Sequence, residues 1–179
     1  MLAESFRLVT ARLIPRPSRC KQAALLLPLL ILAGCGGSGH PKAARWETIS
    51  TDSFRFQAPH GWPWHTRQGI VAASNDSELV QVAPFPLAKT YTTALFGKVQ
   101  RELMTRMRTV AQQTDGRLTG RNDVTVAGIK SHLYDVTVGD HVDEYTFVLR
   151  GKREFQLLCR RKKSNAAPFC EHLLATFKL

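Results

Sequence analysis

The sequence predicts an α+β domain in which an antiparallel sheet lies between helices. Three observations predict it. Two blocks of strand signals stand on either side of one long amphipathic stretch, an order that suits α+β rather than alternating β/α units. The last two predicted strands carry apolar bulk on both faces, which a sheet covered on both sides explains better than a half-exposed one. A short C-terminal stretch then places Phe169, Leu173 and Phe177 on one helical stripe.

The first strand block opens with Phe54, Phe56 and Ala58 alternating with polar residues, and Pro59 and Gly61 stop that strand. Gly69 to Ala73 and Glu78 to Val82 flank the turn-forming tetrad Ser74-Asn75-Asp76-Ser77 and predict a hairpin. Pro84 and Pro86 are expected to end it. From Thr90 to Gln113, Leu95, Val99, Leu103, Met107 and Val110 recur at three- and four-residue spacing and predict a long helix, with Gly116 as its stop. Its outward positions hold Lys98, Arg101, Arg106 and Arg108, opposed only by Glu102. Such a stripe is either a solvated face or a contact for an anionic surface.

The second block begins with a short strand at Val124 and Val126, ended by Gly128. Ile129 to Val138, His141 to Arg150 and Arg153 to Arg161 then predict a meander with turns at Gly139-Asp140 and Gly151-Lys152. Tyr145, Phe147 and Leu149 point one way; Val148, Phe155 and Leu157 fit the other. The closing helix is expected near Ala167 to Phe177.

Length and composition fit this scheme. A chain of 179 residues suits one domain plus a short extra segment, and 44% hydrophobic with 22% charged residues excludes wholesale disorder. The formal charge of +11 needs a cause. Part of it lies at the N-terminus, where Arg7, Arg12, Arg16, Arg19 and Lys21 face one acid, Glu4. Ala23 to Ala33 (AALLLPLLILA) follows as an unbroken apolar run of 11 residues. A membrane span needs ~20 such residues, whereas a secretory h-region needs ~7–15. Residues 1–34 therefore read as an export signal.

Leu32-Ala33-Gly34-Cys35 closes that run and resembles the lipobox of bacterial lipoproteins. The resemblance implies that Cys35 receives a diacylglyceryl group, that cleavage falls just before it, and that acyl chains hold the protein to a membrane. Removing the five basic residues and one acid before Cys35 leaves about +7 of the +11. Gly36 to Arg45 (GGSGHPKAAR) lacks apolar periodicity and reads as a tether; one domain is expected over residues 46–179. Gly34, Gly36 and Gly39 match the spacing of a dinucleotide-binding loop, but no strand precedes them, and we reject that reading.

The cysteines sort by position. Cys20 lies in the signal and Cys35 takes lipid, which leaves Cys159 and Cys170 in the exported domain. An even pair in an oxidising compartment reads as a disulfide, with two buried free thiols as the alternative. Neither sits in a C-x-x-C motif.

Phe54-Arg55-Phe56-Gln57-Ala58-Pro59-His60-Gly61-Trp62 is similar to the strand and P-x-G-W opening of the PsbP-like fold. Val124-Thr125-Val126-Ala127-Gly128 before the aromatic strand at Tyr134, and the final helix bearing phenylalanine and cysteine, are similar too. The resemblance covers most of residues 46–179 and implies an α/β/α sandwich. That fold recurs in photosystem extrinsic proteins, a yeast Ran-binding protein and actinobacterial Lpq-type lipoproteins. These share no common activity, so the resemblance carries no site residues.

Chemistry is sparse. No metalloprotease, nucleophile-elbow or phosphate-loop motif is present. His60 and His65 bracket Gly61-Trp62-Pro63-Trp64, and His132, Asp135, His141 and Asp143 lie along the predicted hairpin; either set is a metal candidate or merely polar surface. Trp62 and Trp64 read as packing or as a ligand platform. Neither a metal nor a cofactor is predicted, and no catalytic residue. Three classes compete: a non-enzymatic envelope lipoprotein that binds or scaffolds a partner, a carrier or binder of lipid or another anionic envelope molecule, and a metal-assisted enzyme. The first leads. Expected partners are the membrane through Cys35 and anionic lipid or wall polymer through the basic residues; nucleic acid is excluded by export. The expected location is the outer face of the cytoplasmic membrane, or the outer membrane in a Gram-negative cell, since Gly36 is not the aspartate that commonly retains lipoproteins at the inner membrane.

Overall fold

The computed structural model describes residues 45–179. Residues 1–44, on which the expected export signal, Cys35 and all of the expected tether but Arg45 fall, lie outside the described residues. The chain runs β1 (Trp46–Ser50), β2 (Arg55–Pro59), β3 (Trp64–Arg67), β4 (Ile70–Ser74), β5 (Leu79–Tyr91), a 3-10 turn (Thr93–Leu95), α1 (Phe96–Gln113), β6 (Arg117–Val126), β7 (Ile129–Val138), β8 (His141–Lys162) and α2 (Pro168–Thr176). β1 and β2 form a separate antiparallel pair, and the large sheet has the order β3-β4-β5-β8-β7-β6, antiparallel throughout.

β8 is extended over 22 residues but is not straight. Arg160 Nε lies 2.7 Å from Asp143 Oδ1, and the Lys163 amide donates to the Asp140 carbonyl at 3.0 Å. In a straight strand those partners would stand roughly 55 and 75 Å apart. The strand therefore doubles back at Gly151, whose φ of 59° is the left-handed conformation glycine adopts without strain. Its first arm pairs with β7 and its second with β5. The turn expected at Gly151-Lys152 is thus present.

Two apolar clusters sit on opposite faces of the sheet. On one, Leu103, Met107 and Ala111 of α1 pack on Tyr134, Val136, Tyr145, Phe147 and Leu149. On the other, Phe54 and Phe56 from the β1–β2 pair and Phe169, Leu173 and Phe177 from α2 pack on Val80, Val82, Val148, Phe155 and Leu157. Burying each large side chain contributes about 1.5–3 kcal/mol. The expected layering, a sheet between helices with residues 145–149 sorted by parity, is what the structure has. Both clusters lie within residues 45–179, so this span carries its own core and can fold alone.

Five elements differ from expectation. β5 does not end at Pro84 and Pro86 but runs to Tyr91. β4 pairs with β5 only as far as Val71↔Val82, so both prolines lie on an edge open on the β4 side, where a missing N–H breaks no ladder. The helix accordingly starts at Phe96, not Thr90. The short strand at Val124 extends back to Arg117, and β1 and β3 were not foreseen; β3 is exposed along its whole length and carries no apolar alternation. Gly116 does follow α1, yet Asp115 takes the left-handed conformation (φ 52°). Gly116 is needed for space: a Cβ there would sit 2.8 Å from the Thr137 carbonyl and from Val138 Cγ2.

Candidate functional site

β7 and β8 pair only from Leu133↔Thr146 to Val138↔His141. Beyond Leu133 the start of β7 leaves its neighbour. On the other side of β8, the register with β5 jumps between Pro86↔Arg153 and Tyr91↔Gly151, which carries the β5–α1 connection across the same end of the sheet. Between them lies a cleft of about 780 Å³. One wall is Ala127 to Lys130 of the β6–β7 turn, another is Leu149 to Gly151, and the third is Tyr91, Thr92, Thr93 and Phe96.

The lining is mixed in character. Leu149 is buried, and Ile129 and Phe96 are half-buried. Lys130 Nζ stands 5.3 Å from the centroid of the Phe96 ring, within reach of a cation–π contact, and the His132 ring lies 5.6 Å from the same ring. Burial raises the Tyr91 phenol above its usual range, so its hydroxyl stays a neutral donor.

The charge around the cleft is one-sided. Lys130 and Arg150 have no ion-pair partner among the described residues. Exposed Lys152 and Arg153 occupy the tip of β8, Lys89 lies in the irregular part of β5, and Lys98 in the first turn of α1. That first turn holds no acid, and Leu95 supplies no side-chain cap, so the positive end of the helix is left uncompensated. Of the nearby acids, Glu154 pairs with Arg106, whereas Asp123 is exposed and lines a neighbouring hollow with Lys130; its Oδ1 lies 2.7 Å from His132 Nδ1 without hydrogen-bond alignment.

No protein-family model matches the chain, and no curated protein matches it. Among solved structures, the solution structure of cyanobacterial PsbP (CyanoP) from Synechocystis sp. PCC 6803 superposes with a TM-score of 0.58 at 16% identity, over 83% of this chain and 98% of that one. The fold is PsbP-like. A crystal structure from Bacteroides thetaiotaomicron VPI-5482 is more distant, with a TM-score of 0.44, 13% identity, and coverage of 70% and 44% of the two chains. These likenesses concern the fold; function has to be argued from the residues of this PsbP-like domain.

The residues singled out in the sequence separate. Cys159 and Cys170 come together at disulfide distance, Sγ–Sγ 1.98 Å and Cα–Cα 5.5 Å, between the end of β8 and the first turn of α2. Lys98, Arg101 and Arg108 are exposed on α1. Arg106 turns to the sheet instead: its Nη1 contacts Glu154 Oε1, and its guanidinium lies 5.5 Å from the Phe147 ring centroid. The four do not share one open face. Lys130, Arg150, Lys152 and Arg153, which line or surround the cleft, were not singled out. The run Arg150-Gly151-Lys152-Arg153 at a predicted turn was the signal that pointed to them.

The histidines scatter. His60 and His65 are exposed, Trp64 is exposed, and Trp62 packs edge-on against Phe169 at 5.1 Å. His132 faces Asp123, and His141 Nε2 stands 3.8 Å from Asp143. Asp143 is only 2% exposed and is held by two Arg160 hydrogen bonds of 2.7 and 2.8 Å, which in turn raise the Arg160 pKa. Burial, aided by Asp143, pushes the neighbouring Tyr145 phenol up to about 12. On the other face Asp135 stands opposite Glu144. Burial raises both carboxyls, against the pull of Arg161. These groups lock strands together. Among the described residues, no three His, Cys, Asp or Glu side chains are grouped to hold a metal.

Proposed function

We propose that the protein is an exported, lipid-anchored, non-enzymatic binding module of the cell envelope, and that the cationic end of its PsbP-like domain contacts an anionic surface. The observation that carries this is the presence of Lys130 and Arg150, and of no acid, in the lining of one cleft, with exposed Lys152 and Arg153 next to it in the chain. Export and anchoring rest on Leu32-Ala33-Gly34-Cys35 directly after the apolar run. Each basic residue near an anionic surface gains ~1 kcal/mol, screened beyond ~10 Å, so the contact is weak and salt-sensitive. In the cell it lies on the outer face of the cytoplasmic membrane, or at the outer membrane of a Gram-negative envelope.

Two measurements test it. Cys35→Ser should abolish lipidation, read as intact mass, and shift the protein out of the membrane fraction; a variant that stays membrane-bound at the same mature mass refutes the anchor. Residues 45–179 should sediment with anionic vesicles at low salt and be released at high salt. Joint replacement of Lys98, Arg101, Lys152 and Arg153 by Gln should weaken that binding, and binding indifferent to both salt and the replacement refutes the cationic face.

A further inference from the structure

We infer that the cleft is a site for one phosphate-headed amphiphile, with the anionic head held between Lys130 and Arg150 and the apolar part laid on Phe96, Ile129 and Leu149. This rests on the preceding reading and deepens it, from a charged end that meets a surface to a pocket that takes a single molecule.

Shape, charge and apolar lining argue together. A volume of about 780 Å³ falls in the ~300–1,000 Å³ range of sites that enclose a small molecule, where a flat charged face would leave no such space. Both cations line the cleft, Lys130 from the start of β7 and Arg150 from the tip of β8. Neither has an ion-pair partner among the described residues, whereas Arg106, Arg160 and Arg161 each hold an acid. Two cations without ion-pair partners in one lining suit a phosphate better than a cationic or neutral ligand, because an ammonium and a guanidinium both donate only.

The head alone would not use the rest of the lining. Phe96, Ile129 and Leu149 supply the apolar part of the lining, Leu149 from the α1-side cluster and Ile129 from the edge of the other, with the neutral hydroxyls of Tyr91, Thr92 and Thr93 also in it. A small phosphate ion would leave that apolar surface wet; an acyl or other apolar tail would cover it. Lys130 joins the two parts, since its ammonium stands 5.3 Å from the Phe96 ring centroid and has no ion-pair partner among the described residues.

The test titrates residues 45–179 with dihexanoyl phosphatidylglycerol below its micelle concentration, followed by amide chemical shifts. Dihexanoyl phosphatidylcholine and inorganic phosphate are the comparison probes. We expect saturable one-to-one binding of the anionic lipid, with the largest shifts at Phe96, Ile129, Lys130, Leu149 and Gly151. Losing both charge-assisted contacts in Lys130→Gln/Arg150→Gln should weaken it about a hundredfold, roughly tenfold per cation, whereas Lys98→Gln/Arg101→Gln should change it less than about threefold. Thr93→Trp, which fills the mouth and leaves every charge in place, should block binding and guards against a double variant that fails to fold.

Phosphatidylcholine binding as tightly as phosphatidylglycerol overturns the role of the cations. Inorganic phosphate binding as tightly overturns the role of the apolar wall. Salt-sensitive vesicle binding without saturable uptake of the short lipid overturns the cleft and leaves the surface reading standing; the reverse result overturns the surface reading alone.

Discussion

Arg106 is read from the sequence as part of an exposed basic stripe, and the structure makes a different prediction for it. Its guanidinium contacts Glu154, a carboxylate only 4% exposed, and lies over Phe147. Arg106→Gln should therefore behave as the loss of a structural partner. Removing one member of a fully buried pair costs ~3–5 kcal/mol, because the other charge stays desolvated. Here the Arg106 side chain is 36% exposed, so water reaches the site and the cost should fall to about 2–3 kcal/mol. For a domain of this size, ~1 kcal/mol moves Tm by roughly 3–5 °C, so a fall of ~6–15 °C is expected by differential scanning calorimetry. Lys98→Gln, a surface change on the same helix, should stay within about 2 °C. Adding Glu154→Gln to Arg106→Gln removes the stranded charge and should recover most of the loss, a coupling of at least ~1 kcal/mol in the double-mutant cycle. If Arg106→Gln melts with Lys98→Gln and the cycle shows no coupling, Arg106 belongs to the solvated face and the inward assignment is wrong.

Three further outcomes follow from the same reasoning. Peptide mapping of exported protein without reductant should recover Cys159 linked to Cys170; free thiols at both positions refute the pairing, and reduction should cost about 2–3 kcal/mol for so short a loop while far-ultraviolet circular dichroism keeps the sheet signal. Asp135 has its carboxyl raised by burial, so the folded state holds that proton more tightly than the unfolded chain; its contribution is most favourable at low pH and is lost as pH rises through the folded pKa. Asp135→Asn should thus gain stability at pH 7, by under ~1 kcal/mol since solvent reaches the group, and the gain should vanish toward pH 3 in denaturant titrations; a gain independent of pH refutes the assignment. Gly116→Ala should cost ~1–3 kcal/mol, because the new methyl meets a strand carbonyl that cannot move alone, and a neutral result refutes the close approach.

Much of the fold was legible because it is written in local patterns. The parity of Tyr145, Phe147 and Leu149 against Val148, Phe155 and Leu157 assigns the two sheet faces, and the two clusters divide them in the same way. Leu103 and Met107 of the helical stripe are both buried. What failed was punctuation. Pro84 and Pro86 signal a strand end only if both neighbours need their amides, and whether β4 reaches that far is decided by the hairpin register, not by the prolines. β3 could not be found from alternation, since Trp64, His65, Thr66 and Arg67 are all exposed and pair with β4 through backbone alone.

The candidate site was less legible for a related reason. A basic residue looks the same in sequence whether it meets solvent or a buried acid. The sequence reading counts both Arg106 and Arg108 among the outward positions of the helix, yet a rotation of about 200° separates two residues two positions apart, and only the sheet under α1 shows that the first of them finds Glu154. The cleft adds a second tertiary condition: the β7–β8 ladder must stop at Leu133 while β5 bulges past Pro86. No local pattern encodes either event. What the sequence does carry is the concentration of charge, with Arg150, Lys152 and Arg153 in four consecutive residues at a turn and Lys130 two positions beyond another. Read as turn tips at one end of an antiparallel sheet, those two runs already face the same way, because hairpins that share a strand order alternate their ends: the β6–β7 and β8 turns are separated by one more reversal, at Gly139. Meander connectivity alone therefore brings Lys130 and Arg150 to one pole of the domain, and the unpaired ends of β7 and β8 turn that pole from a charged tip into a cleft.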